Sequence, residues 1–307
     1  MGRVKAAARN IIFGYIGNLT TQLLGFVLRT IFIRHLGQTL NGVNALYTGI
    51  LSVLSMAELG IGTALNYSLY KPVIHKDYEK IKSYMLLYKK AYRIIGFVVA
   101  GIGLVIVPFL PYLVKQPEGV TLRDLTLYYL IFLFNTVSSY FVAYKYSLVN
   151  AEQKNYIQTN IITVTKMITV TLQIIVILTT GNFYAYLLTA ATVELLQKIF
   201  VSRYLNNMYP YLKEKDIKPL TKEEVGEVVK KTKALVLHKV GDVARLQTDA
   251  MIISGFINVT LSGIVDNYNL VISSVSNFVN IIFNSVLSSF GNLIATESRQ
   301  KQYEIFR

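Results

Sequence analysis

Long apolar stretches alternate with short polar segments along the whole chain. The hydropathy pattern predicts eight helices, near residues 11–33, 42–66, 92–114, 125–149, 158–179, 184–202, 234–257 and 263–291. About 20 apolar residues cross the hydrocarbon core of a bilayer as a helix. Residues 94–108 show no polar–apolar alternation, which argues against a barrel of membrane strands. The pattern therefore predicts an all-α integral membrane protein with about eight transmembrane helices.

Composition supports a membrane protein, and the distribution of basic residues predicts its orientation in the bilayer. Of 307 residues, 53% are hydrophobic and 16% are charged, with a mean hydropathy of +0.43, which is too apolar for an ordinary soluble domain. The net charge is +14, and 25 of the 31 Lys and Arg residues fall in alternate segments on one predicted side. Cytoplasmic loops are the basic ones. We therefore expect both termini in the cytoplasm and no nucleic-acid partner.

Sequence chemistry gives no sign of a cofactor or an enzyme. The chain has no cysteine, which excludes disulfides, thiolate metal sites and a cysteine nucleophile. Its three histidines, His35, His75 and His238, are far apart in the sequence, and no zinc-protease, phosphate-loop or paired-aspartate motif occurs. We therefore expect neither a metal nor a cofactor.

The longest polar stretch divides the chain. Residues 203–233 contain two prolines and a short amphipathic run, which predicts a cytoplasmic linker. It separates an N-terminal lobe of six helices at 1–202 from the start of a second lobe at 234–307, with helices 7 and 8 and a cytoplasmic tail. A weak internal repeat pairs residues 14–18 with 238–242, and Thr39-Leu-Asn-Gly-Val43 with Thr260-Leu-Ser-Gly-Ile264.

Four predicted helices carry a polar stripe at helical spacing. The stripes are Asn18, Gln22 and Arg29 on the first helix, Glu58 with neighbouring serines on the second, His238, Asp242, Arg245 and Asp249 on the seventh, and Asp266, Asn277, Asn280 and Asn284 on the eighth. Polar groups at membrane depth face protein or water. Two interpretations stay open: the stripes line a hydrated cavity, or they join helices through pairs such as Asp242 with Arg245 or Arg29 with Glu58.

Other polar residues in the first lobe favour structural roles. Lys166 and Glu194 stand isolated in the sequence, and Lys198 is placed to extend toward the cytoplasmic interface. Several tyrosines near predicted helix ends are interpreted as an interfacial belt: Tyr112, Tyr128, Tyr129, Tyr184 and Tyr186.

Three short motifs resemble a known transporter family. Ala57-Glu-Leu-Gly-Ile-Gly-Thr-Ala-Leu65, Thr248-Asp-Ala-Met-Ile-Ile-Ser254, and Gly263 followed by Asn267-Tyr268 are similar to segments of Wzx-type polysaccharide flippases of the multidrug/oligosaccharidyl-lipid/polysaccharide (MOP) exporter superfamily. Such proteins usually have twelve to fourteen helices. The resemblance implies that this chain contains the first lobe and two helices of the second, as a fragment of a longer transporter.

The resemblance implies a function at the bacterial inner membrane. A flippase moves undecaprenyl-diphosphate-linked oligosaccharide from the cytoplasmic to the outer leaflet, alongside a polysaccharide polymerase and other assembly proteins. Arg29 and Arg245 would bind the diphosphate. The amides of Asn18, Gln22, Asn277, Asn280 and Asn284 would bind sugars, and the carboxylates of Glu58, Asp242 and Asp249 would couple ions or orient the arginines.

Three other functions remain open at this stage. A cation-coupled multidrug exporter of the same superfamily would need carboxylates in an apolar cavity. An intramembrane enzyme of lipid-linked sugar metabolism would need clustered acids or metal ligands. A scaffold for polysaccharide synthesis would need no transport at all.

Overall fold

The computed structural model describes residues 3–58, 61–114, 120–214 and 217–296. Within these ranges the side chains of 3–11, 56–57, 63, 234, 236–247, 278 and 280–296 lie outside the description. The described residues form helices, turns and short connections, with nine α-helices: α1 Arg3–Leu54, α2 Ile61–His75, α3 Tyr78–Ile106, α4 Leu110–Leu113, α5 Leu122–Ala151, α6 Asn155–Thr180, α7 Phe183–Met208, α8 Lys222–Phe256 and α9 Val259–Thr296. Short 3-10 helices at Ser55–Glu58, Val107–Phe109 and Pro210–Lys213 connect some of them.

The all-α membrane fold expected from the sequence is confirmed. In the described part of the chain, five helical segments are long and apolar enough to cross a bilayer: Ile12–Leu54, Tyr78–Leu113, Leu122–Ala151, Asn155–Thr180 and Phe183–Met208. The helices predicted at 125–149, 158–179 and 184–202 correspond to α5, α6 and α7 within a few residues, apart from the longer C-terminal end of α7. Many side chains on their outer faces are large, apolar and exposed, as expected for surfaces that contact lipid.

The first two predicted helices are arranged differently from the sequence prediction. Helix α1 continues through the predicted gap to Leu54 and changes direction at Gly37, whose φ of 86° favours glycine. The helix predicted at 42–66 is divided instead, because a 3-10 turn at Ser55–Glu58 precedes the start of α2 at Ile61. Hydropathy reflects the polarity of side chains, so it does not detect a break in the backbone. The glycines at 60 and 62 were the available sign, because glycine lowers local helix stability.

Helix α8 begins before the apolar stretch at 234–257, where the sequence predicts a helix. It starts at Lys222 and includes the amphipathic run that the sequence placed in a separate short helix. The hydroxyl of Thr221 accepts a hydrogen bond from the backbone of Glu224, whose carboxylate accepts one from the backbone of Thr221. This capping box fixes the helix start.

Tyrosines fill much of the core instead of the membrane interface. The side chains of Tyr47, Tyr88, Tyr129 and Tyr140 are among the largest that are fully buried. Tyr129 donates a hydrogen bond to the carbonyl oxygen of Gly103 at 3.1 Å, which satisfies its phenol inside the bundle. The interfacial interpretation is therefore wrong for Tyr129 and for Tyr128, which is also buried, whereas Tyr112 is 80% exposed.

The two segments of the proposed internal repeat contact each other. The hydroxyls of Thr39 and Thr260 are 3.0 Å apart. Gly42 and Gly263 lie at the same crossing, where a Cβ on Gly263 would come within 2.7 Å of the backbone nitrogen of Gly42. Equivalent positions of the two segments thus face each other, as they do across a two-fold axis.

The chain separates into two compact units, at 1–264 and 265–307. The first contains α1 to α8 and the first residues of α9, so the contacts of Thr260 and Gly263 lie within it. The second contains the remainder of α9. The site described next lies wholly in the first unit.

Candidate functional site

The polar stripe of α1 is only partly buried. Asn18 is exposed, Gln22 is half-buried, and Arg29 is half-buried. The guanidinium of Arg29 donates a hydrogen bond to the side-chain oxygen of Asn41, a residue that is 1% exposed. The amide nitrogen of Asn41 donates in turn to the carbonyl oxygen of Gly263 at 2.9 Å. Arg29 therefore supports the crossing of α1 and α9 as well as carrying a charge at membrane depth.

A second group of charges lies between α5 and α7. Asn135 on α5 donates from its amide to a carboxylate oxygen of Glu194 on α7 at 2.7 Å. The ammonium of Lys198 donates to the backbone and side-chain oxygens of Asn135 at 2.8 and 2.6 Å, and to the hydroxyl of Ser138 at 2.9 Å. All three of its protons have acceptors, so Lys198 is held in a fixed position in the bundle although it is only 8% exposed.

Lys166 on α6 connects these two groups electrostatically. It interacts with both Glu194 and Arg29. We call Arg29, Asn135, Lys166, Glu194 and Lys198 the intramembrane charged cluster. It contains three cations and one carboxylate, on four different helices.

Sequence reasoning missed most of this cluster. Lys166 and Glu194 are not isolated, and Lys198 does not extend to the interface but bonds inside the bundle. One signal was available: Glu194 and Lys198 are four residues apart and so share a face of α7. Their partner Asn135 is about 60 residues away in the chain, and only the packing of α5 on α7 brings it to them.

Glu58 occupies a separate site at the break before α2. Its carboxyl group is hydrogen-bonded by Tyr92 and Tyr140. The hydroxyl oxygens of Tyr140 and Ser55 are 2.9 Å apart, so the single phenolic proton of Tyr140 is shared between Ser55 and the carboxyl group. The carboxyl group thus lies among aromatic hydroxyls rather than beside a described basic residue.

The predicted site on the second lobe is only partly described. Asp249 is exposed on α8, and Asn277 is exposed on α9 in the second unit. The side chains of Asp242, Arg245, Asn280 and Asn284 lie outside the described residues. Their predicted roles in binding and coupling stay predictions.

Comparisons with known proteins show what this architecture resembles. No protein-family model and no curated protein matches the chain. One similar solved structure is an inward-facing multidrug resistance MATE family transporter of the MOP superfamily, with a TM-score of 0.55, 14% identity and 80% of this chain covered. The chain has a MATE-type fold. A second structure, a MATE protein in complex with MaD3S, has a TM-score of 0.53, 16% identity and 82% of this chain covered.

The likeness to these two structures concerns the fold of the helices. This chain spans 59% and 58% of the length of the two MATE chains. At these identities the likeness concerns the fold alone, and activity must be argued from the residues.

Proposed function

We propose that this protein is a membrane transporter that moves undecaprenyl-diphosphate-linked oligosaccharide units from the cytoplasmic to the outer leaflet of a bacterial inner membrane, for surface polysaccharide. Its MATE-type fold and apolar helices support a multi-pass membrane transporter. The observation that carries the choice of substrate is the excess of cations over carboxylates in the intramembrane charged cluster. A polysaccharide polymerase and other assembly proteins are the partners that such a role requires.

The charge of the cluster favours an anionic substrate. Arg29, Lys166 and Lys198 outnumber Glu194, and the oxygens that bind Lys198 at 2.6 to 2.9 Å are neutral. Ionisable groups at membrane depth are costly and commonly mark a transport path. A diphosphate passing nearby would lower the repulsion between these cations, whereas a cationic drug would raise it.

A cation-coupled multidrug exporter is the second candidate. One of the similar structures is a multidrug resistance transporter. In this chain, Glu58 is held by Tyr92 and Tyr140 without a described basic partner, which is an arrangement that can bind and release a proton. The two candidates differ in which residue controls transport: the lysines of the cluster or Glu58.

Complementation of a flippase-deficient bacterium distinguishes the candidates. The complete reading frame that encodes this chain would be expressed as wild type, Lys166→Gln, Lys198→Gln and Glu58→Gln. Lys230→Gln, which removes an exposed charge from α8, is the matched control. Surface polysaccharide would be measured at equal protein levels in the membrane.

We expect wild type and Lys230→Gln to restore polysaccharide. The two cluster variants should lose at least about tenfold of that activity, since each removes one positive charge that attracts the diphosphate. Full restoration by both cluster variants would contradict the proposal. No restoration by wild type, together with ion-driven drug resistance that Glu58→Gln removes, would favour the multidrug exporter.

A further inference from the structure

A second cationic site lies away from the intramembrane charged cluster, at the ends of α3, α5 and α7. It is a pocket of about 670 Å³. Its charged lining residues are Lys82, Lys89, Arg93, Lys145, Lys213 and Glu214. The distribution of basic residues in the sequence predicts that this end faces the cytoplasm. We call it the basic pocket.

Among the described residues, carboxylates pair with one of these cations, Lys82. Its ammonium lies 2.5 Å from Glu79 and 2.7 Å from Glu214, and its side chain is 4% exposed. The acidic residue of the pocket is therefore already paired. The remaining charge of the lining is carried by Lys89, Arg93, Lys145 and Lys213.

Lys145 is the most informative of these cations. It is 8% exposed, and its ammonium donates to the backbone and side-chain oxygens of Ser202 at 3.2 and 2.8 Å and to Asn206 at 2.8 Å. These acceptors are uncharged, so the buried charge has hydrogen bonds but no described counter-ion. A buried cation is stabilised when an anion accompanies it.

Two further cations line the same space from α3. Lys89 and Arg93 are four residues apart and share a helix face. Lys89 is close enough to Lys145 for the two charges to repel, and Arg93 lines the pocket together with Tyr144. An anion between them would remove that repulsion.

The connection between α7 and α8 is held against α3 and the end of α5 by polar contacts. The hydroxyl of Ser83 donates to the carbonyl oxygen of Lys218 at 2.6 Å, and Lys80 pairs with Glu224. Tyr209 donates to Glu152 at 2.8 Å, and burial together with that carboxylate raises the pKa of Tyr209, so the phenol keeps its proton. One side of the basic pocket is therefore formed by a connection with fixed contacts.

The basic pocket also has apolar walls, formed by residues such as Met85, Leu86 and Phe141. Phe141 is 41% exposed on the outer surface of the helices. Cations beside apolar surface at a membrane face match an amphiphile with a phosphate group. We propose that the basic pocket binds the phosphate-bearing headgroup of a lipid, at a site separate from the intramembrane charged cluster. This proposal requires only that the protein lies in a membrane, and it does not depend on the substrate proposed above.

Native mass spectrometry of the purified protein from the complete reading frame tests the proposal. Three probes would be added at equal concentration: phosphatidylglycerol, phosphatidylcholine and a short polyprenyl diphosphate. The variants are Lys145→Gln and the double variant Lys89→Gln with Arg93→Gln, and Lys230→Gln is the control. The double variant keeps the test valid if Lys145→Gln does not fold.

We expect an anionic probe to bind at least about tenfold more tightly than phosphatidylcholine, and the double variant to lose that preference while Lys230→Gln keeps it. If phosphatidylglycerol and the polyprenyl diphosphate bind equally tightly, the pocket is a general site for anionic headgroups. If the diphosphate alone binds, the pocket is a site for the lipid-linked substrate. Equal binding of all three probes, or no effect of the double variant, would overturn the proposal. Binding is measured without transport, so its outcome is independent of the complementation assay.

Discussion

Single buried polar side chains decide much of this structure. Lys198 and Lys145 are each 8% exposed, and each ammonium is held by oxygens of a neighbouring helix. Buried polar groups are stabilised when their protons have acceptors. Asn41 shows the same dependence without a charge, since its amide links Arg29 to the carbonyl oxygen of Gly263.

Asn41→Ala tests that link. The change leaves the guanidinium of Arg29 and the carbonyl of Gly263 without this partner in a buried place, so we expect it to lower the free energy of unfolding by about 1–3 kcal/mol. Thermal unfolding of the detergent-solubilised protein measures the effect. Asn44→Ala, on the same helix, is the control and should change stability little; an equal loss in both variants would contradict the account.

At the scale of residues, the sequence predicted which side chains lie on a polar face better than it predicted their hydrogen-bond partners. The position of Arg29 on a polar face was visible from its spacing to Asn18 and Gln22. Its hydrogen bond to Asn41 and the links of Asn135 to Glu194 and Lys198 were not visible, because they depend on how helices rotate and pack. Spacing along one helix shows which residues share a face, but not what that face meets.

At the scale of elements, the crossing of α1 and α9 depends on small residues. A Cβ at Gly42 would overlap the carbonyl oxygen of Val259, and one at Gly263 would lie 2.7 Å from the carbonyl oxygen of Gln38. Close approach of two backbones through small residues is a common way for membrane helices to pack. The crossing therefore depends on glycine at both positions.

Gly42→Ala should force the two helices apart. We expect a loss of about 1–3 kcal/mol in the free energy of unfolding, as for an overpacked core. Gly25→Ala is the matched control on α1, since nothing lies within 4 Å of its added Cβ, and it should be neutral or stabilising by up to about 1 kcal/mol. The same unfolding assay compares them, and a Gly42→Ala protein as stable as wild type would show that the crossing is looser than described.

The sequence predicted well those helices whose ends coincide with a change from apolar to polar residues. Helices α5 to α7 are predominantly apolar and bounded by polar turns, so hydropathy located them. The break at Ser55–Glu58 and the start of α8 at Lys222 were misplaced, because backbone geometry and a capping box set them rather than apolar content. The predicted division of the chain at 203–233 stays a prediction.

At the scale of the whole molecule, basic residues predict the orientation in the membrane. The chain has no cysteine, so a single introduced cysteine is its only thiol. We expect Lys222→Cys, before the apolar part of α8, to react with a membrane-impermeant maleimide only in inverted vesicles. Arg123→Cys, at the start of α5, should react only in right-side-out cells. Both side chains are exposed. The reverse pattern would contradict the N-in topology.

The central claim is that this MATE-type fold moves a lipid-linked diphosphate. The most direct measurement reconstitutes the protein from the complete reading frame into vesicles that contain a fluorescent polyprenyl-diphosphate-linked sugar, and follows the fraction quenched by an impermeant reductant. We predict that protein-free vesicles lose only the outer-leaflet signal, whereas vesicles with the protein lose nearly all of it. Lys198→Gln should behave like protein-free vesicles. An unchanged signal in the presence of active protein, together with ion-driven movement of a cationic dye, would contradict the claim.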